Sequence, residues 1–311
     1  MYCFAGPVRW CRRRPTAETV VCAHTPQPSP DSGELITYWT HSTNVTNVQL
    51  THLQLDNYGP WTVTPEPRRE MDLQTLQTRL FADVAQAVGR DGGYVFPTRF
   101  DNLIAVTNGL DRRGHETLQE SIANRYPVTV SLGVGSAARP ADALDAASGH
   151  LHEAGSAQDG DRTEVFGGEP LSRETRTDDD LHVAHFDVDD ATGVYTDQLN
   201  EYDAYLAIER GFSSLARHLR TEHGALAFFA GGDNVIAVCP ALSDEAYHEA
   251  IAHVRADANV DLKVGVGTGL TAQEAGMKAK HALEHCRESG APVVRDHGGK
   301  SPKLQIASLD A

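Results

Sequence analysis

Two short motifs place carboxylates where they could act together. Phe100 to Val106 reads FDNLIAV and Gly232 to Val238 reads GDNVIAV, so an Asp-Asn step opens an otherwise apolar run twice, at Asp101-Asn102 and Asp233-Asn234. Upstream of each lies another acidic step, Asp56-Asn57 in LQLDNYG and Asp187 with Asp189 in HFDVDD. Two carboxylates held close together must share protons or bind a cation. An all-oxygen ligand set suits Mg²⁺ bridging substrate phosphates. Asp is also common at strand ends and turns for its own hydrogen-bonding reasons, but its recurrence with Asn inside an apolar strand favours a site.

The spacing of these motifs shows that the chain is duplicated. Asp101 and Asp233 stand 132 positions apart, as do VSLGVG from Val130 and LKVGVG from Leu262. LQLDNYG and HFDVDD match at a shift near 131, which pairs Asp56 with Asp187.

The elements that must position these residues follow from periodicity. Val48 to Asp56 alternates as a strand, and Leu73, Leu76, Leu80, Val84 and Ala87 recur at helical spacing. Gly92-Gly93 closes that helix, and a strand pair turns near Thr98 to Asp101. Leu118 and Ile122 mark a second helix, Val128 to Val134 a buried strand, and Ala141 to Leu151 a third helix. The second copy repeats this order, with a strand at His182 to Asp187, a helix carrying Tyr202 to Leu219 and a hairpin at Gly231-Gly232-Asp233. A helix from Asp244, a strand from Val260 to Val266 and a helix from Ala272 to Arg287 complete it. This is the split βαβ order. The expected fold is α+β, two tandem ferredoxin-like βαββαβ domains at 46–165 and 181–296, with a linker at 166–180 and a tail at 297–311. In that topology the first strand neighbours the hairpin, so Asp56 meets Asp101, and Asp187 meets Asp233.

Residues 1–45 read differently. They carry Arg9, Arg12, Arg13 and Arg14, a Pro-rich stretch from Pro26 to Pro30 and no sustained period. No apolar core follows the basic residues, as a signal peptide would need. Two expectations stand: a disordered extension, or an upstream start-site artefact with the native chain beginning at Val45.

Composition narrows the function classes. There are 27 basic and 43 acidic residues, a net charge of −16, which argues against general nucleic-acid binding. Of the basic residues 22 are Arg and five are Lys. An acidic, Lys-poor surface fits a cytoplasmic protein working in concentrated salt, where self-repulsion is screened. No apolar run is long enough to cross a membrane. Cys239 and Cys286 fall in an apolar strand pattern and a helical pattern and are read as reduced thiols. His281 and His285 lie one helical turn apart beside Lys278, Lys280 and Glu284, and are read as a solvated face. Gly265 to Gly269 lacks the ending of a Walker phosphate loop and is read as a strand exit.

Gly231-Gly232-Asp233, with an Asp ending strand one, resembles the nucleotidyl-cyclase and diguanylate-cyclase signature, and the fold it implies is cyclase- and palm-like. Asn234 departs from it where diguanylate cyclases carry Glu. DNYGPWTVTPEPRRE from Asp56, TRFDNLIAVTNG from Thr98, ESIANRYPVTVS from Glu120 and GSAQDGDR from Gly155 together closely resemble the archaeal GTP cyclohydrolase III family, from about Thr46 to Arg287. That resemblance implies GTP as substrate, Mg²⁺ dependence and activation by a monovalent cation such as K⁺. The product would be 2-amino-5-formylamino-6-ribosylamino-4(3H)-pyrimidinone 5′-monophosphate, its formyl group retained. Alternatives are a nucleotidyl or diguanylate cyclase, and a non-catalytic GTP sensor.

Asp56 and Asp101 are then the expected metal pair, with Asp187, Asp189 and Asp233 as candidates in the second copy. Asn57, Asn102 and Gln158 are candidate orienting groups. Tyr58 and Gly59 form a turn whose backbone could approach phosphates, and Arg68, Arg69, Arg99 and Arg125 are candidate phosphate clamps. The first copy is the expected seat of chemistry, because the second lacks a DNYGPWT-like loop. Pairing of cyclase-like modules leads to the expectation of a homo-oligomer.

Overall fold

The computed structural model describes residues 47–62, 68–171 and 181–296; the expected N-terminal extension, the acidic end of the linker and the C-terminal tail lie outside them. The first copy runs β1 (Val48–Leu55), a short helix α1 (Gly59–Thr62), α2 (Glu70–Arg90), β2 (Tyr94–Pro97), β3 (Asn102–Val106), α3 (Arg112–Arg125), β4 (Val130–Ala137), α4 (Pro140–Glu153) and β5 (Phe166–Gly167). The second runs β6 (Leu181–Val188), α5 (Glu201–His218), β7 (Leu226–Gly231), β8 (Asn234–Cys239), α6 (Asp244–Ala258), β9 (Leu262–Gly269), α7 (Ala272–Ser289) and β10 (Val293–Asp296). π-Helical turns at Thr192–Thr196 and Leu219–His223 flank α5.

The sheets have the orders β2-β3-β1-β4-β5 and β10-β9-β6-β8-β7, which are the same order read from opposite ends. Four strands of each are antiparallel, as the split βαβ plan requires, and a fifth pairs parallel to β4 or β9. The fifth strand is a departure: Phe166 and Gly167, read from sequence as linker, complete the first sheet.

Alternation along β1 sorts its side chains between two environments. Leu53 and Leu55 face α2 and α3, packing with Leu80, Val84, Val88, Leu118 and Ile122. Full burial of each such side chain contributes about 1.5–3 kcal/mol. Val48 and Leu50 belong to a different cluster on the other face, which His52 and Gln54 share by register. There α4 crosses β4 so closely that a β-carbon on Gly133 or Gly135 would strike the carbonyl oxygens of Ala147 or Ala143. In the second copy α7 crosses Gly265 and Gly267 in the same way, against Ala279 and Ala275. The repeated Gly-Val-Gly is therefore a helix seat.

The two copies share one apolar cluster. Val48, Leu50, Phe96 and Ile104 of the first pack with Leu226, Phe228, Val238 and Ala272 of the second. At its centre the Phe96 and Phe228 rings stack with centroids 4.2 Å apart.

Candidate active site

Asp56 follows β1 directly and lies on the same face as Gln54 and His52. Its backbone N–H donates to Thr129 O at 3.0 Å, extending the β1–β4 ladder by one step. The residue is only 3% exposed. Its carboxylate accepts from the Ser131 hydroxyl at 2.6 Å, the Thr129 hydroxyl at 2.9 Å and the Glu164 backbone N–H at 2.8 Å. The last donor belongs to the loop between α4 and β5, which closes over the end of β1. Asn57 N–H donates to Ala157 O at 2.8 Å, and a β-carbon on Gly59 would stand 3.2 Å from Gln158 Cδ. Asp56, Asn57, Gly59 and Gln158 are thus brought together as the sequence predicts.

Asp101 joins them through the backbone, since its carbonyl accepts from Leu55 N–H at 3.0 Å. Its Oδ1 is buried and has no hydrogen-bond donor, while Arg99 Nε stands 3.8 Å away. Asn102 is turned inward: its Oδ1 meets His52 Nε2 at 2.8 Å and accepts from Gln54 Nε2 at 3.1 Å. With Nε2 donating to that oxygen, His52 Nδ1 accepts from the Ser148 hydroxyl at 3.1 Å. Burial holds the His52 imidazole below its ordinary pKa, as a neutral ring. Asn102 orders this network through its Oδ1.

Backbone strain collects in the same place. Asn57, Phe100 and Glu164, three of the five non-glycine residues with positive φ among the described residues, flank the two aspartates at φ 47°, 61° and 52°. Such conformations cost roughly 1–3 kcal/mol each and tend to mark functional sites.

The remaining sequence candidates divide. Tyr58 packs against the α2 side of the core, its hydroxyl accepting from Gln77 Nε2 at 2.9 Å. Burial, with Glu70 and Asp101 nearby, raises its pKa. Arg68 and Arg69 sit exposed before α2, and Arg69 is committed to Asp72 through Nε and Nη2, both at 2.8 Å. Arg125 does not join the site: it pairs with Asp83 of α2 at 3.0 Å, in the helical layer on the opposite face of the sheet. A motif spacing cannot tell which side of a sheet a helix end occupies. Four residues missed in the sequence reading are His52, Gln54, Ser131 and Arg162. For the first two the signal was available, since polar residues alternating with Leu53 and Leu55 must fill the other face of β1.

The second copy corrects the expected pairing. Asp189 N–H donates to Asp261 O at 2.9 Å, as Asp56 does to Thr129 O, and Asp190 has φ 51° where Asn57 has 47°. Asp189 is therefore the counterpart of Asp56. Asp187 pairs with Asn234 in register, as Gln54 does with Asn102, so its counterpart is Gln54. His185 Nε2 and Asn234 Oδ1, 2.9 Å apart, reproduce the His52–Asn102 contact.

Where the first copy has Ser131, the second has Lys263, whose Nζ lies 2.6 Å from Asp189 Oδ1. Arg287 Nη2 lies 2.8 Å from Asp187 Oδ2, and Asp233 Oδ1 accepts from Asn234 Nδ2 at 3.0 Å. Fixed side-chain cations already compensate both strand aspartates, although Asp187 Oδ1 is itself buried without a hydrogen-bond donor. In the first copy no side-chain cation is fixed to Asp56, which leaves its carboxylate the better fit to a metal ion, while Asp101 Oδ1 has only Arg99 Nε at 3.8 Å. Among the described residues no cluster of three or more His, Cys, Asp or Glu is arranged to hold a metal. His281 and His285 are exposed on α7, as expected of a solvated face, and Cys239 and Cys286 are free and buried.

A family profile described as GTP cyclohydrolase III matches residues 49–297. The chain belongs to the GTP cyclohydrolase III family. Its relatives include GTP cyclohydrolase III of Natronomonas pharaonis, 59% identical over 249 residues, covering 80% of this chain and 98% of that one. GTP cyclohydrolase III 1 of Halobacterium salinarum is 59% identical over 251 residues, with 81% and 98% covered. GTP cyclohydrolase III of Methanocaldococcus jannaschii is 45% identical over 240 residues, with 77% and 88% covered. Among solved structures, the GGDEF domain of DgcB from Caulobacter crescentus matches at 14% identity and TM-score 0.33 over 38% of this chain and 78% of that one, too weak a likeness to carry weight. The family match spans both copies, so membership of the GTP cyclohydrolase III family attaches to the tandem unit. Among the described residues no helix is long and apolar enough to cross a membrane.

Proposed function

We propose that the protein opens the imidazole ring of GTP and hydrolyses its phosphoanhydride, yielding 2-amino-5-formylamino-6-ribosylamino-4(3H)-pyrimidinone 5′-monophosphate with the formyl group retained. Family membership supports the substrate. The observation that carries the placement is the asymmetry at the end of the first strand of each copy: Asp56 meets only hydroxyl and amide donors, whereas its counterpart Asp189 is already paired with Lys263.

Asp56 and Asp101 would hold Mg²⁺ together with phosphate oxygens of the substrate. When bound, that ion would neutralise phosphate charge and acidify a water. A monovalent cation such as K⁺ is proposed as activator. The chain's own residues do the rest. Thr129, Ser131 and the Glu164 amide fix the Asp56 carboxylate, and the Tyr58-Gly59 turn with Gln158 walls the site. Arg99, whose Nε stands 3.8 Å from Asp101 Oδ1, lies on its exposed side. We further propose that the protein works in the cytoplasm as a homo-oligomer, in keeping with the exposed Tyr202, Tyr205 and Leu206 on α5.

The test is incubation of the full chain with GTP, Mg²⁺ and KCl. Loss of guanine absorbance with phosphate release and no formate is the expected result. A cyclic nucleotide with intact guanine, formate release, or GTP recovered unchanged from a saturated complex would each overturn the proposal.

A further inference from the structure

Arg162 is the most buried arginine in the site region, at 5% exposure. Its Nη1 donates to Gln54 Oε1 at 3.0 Å. Nε and Nη2 are buried and have no hydrogen-bond partner, and among the described residues no carboxylate lies within ion-pairing distance of the group. The two orphaned nitrogens are not an arbitrary pair. Nε–H and the adjacent Nη2–H form one edge of the guanidinium, the fork that grips two oxygens side by side. Arg69 uses that same edge on Asp72, at 2.8 Å for both bonds. In Arg162 the edge is set and empty of acceptors.

A buried, uncompensated guanidinium is costly, and a formal negative charge is what offsets it. The position of Arg162 says which anion. Gln54, which holds it, is two residues before Asp56 on the same strand face and also donates to Asn102 Oδ1. The loop carrying Arg162 is the one whose Glu164 amide is bound to Asp56.

We propose that Arg162 is a phosphate-binding residue of this site, its Nε/Nη2 fork taking two oxygens of one phosphoryl group of the substrate. This rests on the reading of the site as a nucleoside-triphosphate site. The fork is out of contact with water, so the 155–165 loop shifts as the phosphoryl group enters; Gly155, at φ 103°, and the left-handed Glu164 bracket the loop.

The test uses the full chain with Arg162→Lys and Arg162→Gln, inorganic tripolyphosphate and GTP as titrants, and thermal melting without ligand. Expected is a loss of tripolyphosphate and GTP affinity of roughly 10- to 100-fold in both variants, the weight of charge-assisted hydrogen bonds, with guanosine binding unchanged. Arg162→Gln should melt no lower than the parent, because a buried charge without a partner is removed. Unaltered tripolyphosphate affinity in either variant overturns the proposal, as does a parent chain that does not bind tripolyphosphate. Should Arg162→Gln fail to fold, Arg162→Lys, which keeps charge and loses the fork, decides. Arg162-dependent tripolyphosphate binding in a chain that leaves GTP intact would sink the proposed reaction while leaving this inference standing.

Discussion

Replacing Asp56 by Asn separates what its charge does from what its shape does. Asn has nearly the same outline, and its amide oxygen can accept from the Glu164 N–H and the Thr129 hydroxyl, while the Ser131 hydroxyl can turn to accept from its NH₂. The three contacts at 2.8, 2.9 and 2.6 Å are then kept, but each loses its ionic component. Hydrogen bonds to a charged partner contribute about 1.5–3 kcal/mol against about 0.5–1.5 for neutral pairs, a loss near 1 kcal/mol for each bond. Relief of carboxylate desolvation offsets part of this, leaving an expected destabilisation of roughly 1–3 kcal/mol. For a chain of this size that is a melting shift of roughly 2–6 °C. Turnover of GTP should fall much further, by about 100-fold or more, as for other losses of preorganised charge at a reacting group. The control is Asp189→Asn, which loses one ion pair between a side chain 43% exposed and Lys263, 18% exposed. It should cost no more than about 1 kcal/mol and leave turnover intact. Calorimetry in KCl and an absorbance assay read both quantities. Wild-type turnover in Asp56→Asn would remove Asp56 from the chemistry, and equal losses in both variants would refute the assignment to the first copy.

Other expectations are narrower. Burial depresses the pKa of His52 and His115; folding then favours the neutral rings, and the stability they contribute is complete above about pH 6.5 and is lost as pH falls. His115 Nδ1 faces the Asp111 carbonyl at 2.8 Å and must donate, leaving Nε2 to accept from the Thr51 hydroxyl at 2.8 Å; urea titrations of His115→Gln should show a flatter acid limb, and an unchanged limb would count against this. Phe96→Ala should cost about 3–5 kcal/mol and split the calorimetric transition in two, since it empties the shared cluster; a single transition at lower temperature would show that the copies stay coupled through other contacts. Gly265→Ala should prevent α7 from seating and yield little folded protein, whereas Gly290→Ala, a left-handed helix end with open space around it, should fold with a loss near 1 kcal/mol; comparable yields would refute the close helix approach.

The fold was legible because it is written twice. The apolar stripes of α2 and α5 and the paired Asp-Asn steps place the elements within a few residues, and strand adjacency follows from their order. What misled was the short, acidic HFDVDD run: three aspartates close together allow more than one alignment, and only the ladder to Asp261 and the left-handed Asp190 fix Asp189 as the partner of Asp56. Arg125 was misjudged because its neighbour in space, Asp83, is 42 positions away on another helix. Lys263 carried a readable signal. It is a lone lysine inside an apolar strand, aligned with Ser131 of the first copy by the same 132-residue spacing that revealed the repeat. Arg162 closes the GSAQDGDR motif that begins at Gly155, but a loop arginine in an Arg-rich chain has no sequence mark of burial.

The stacked Phe96 and Phe228 have a consequence for taking the molecule apart. β2 and β7 are the outermost strands of their sheets, and an outer strand with apolar side chains is a template for pairing with other chains. Within one polypeptide each copy shields that margin of the other at fixed local concentration. Cut between the copies and expressed separately, either half would present an aromatic rim to its neighbours, so half-genes should give aggregates, and mixing the halves during refolding should recover soluble protein that neither yields alone.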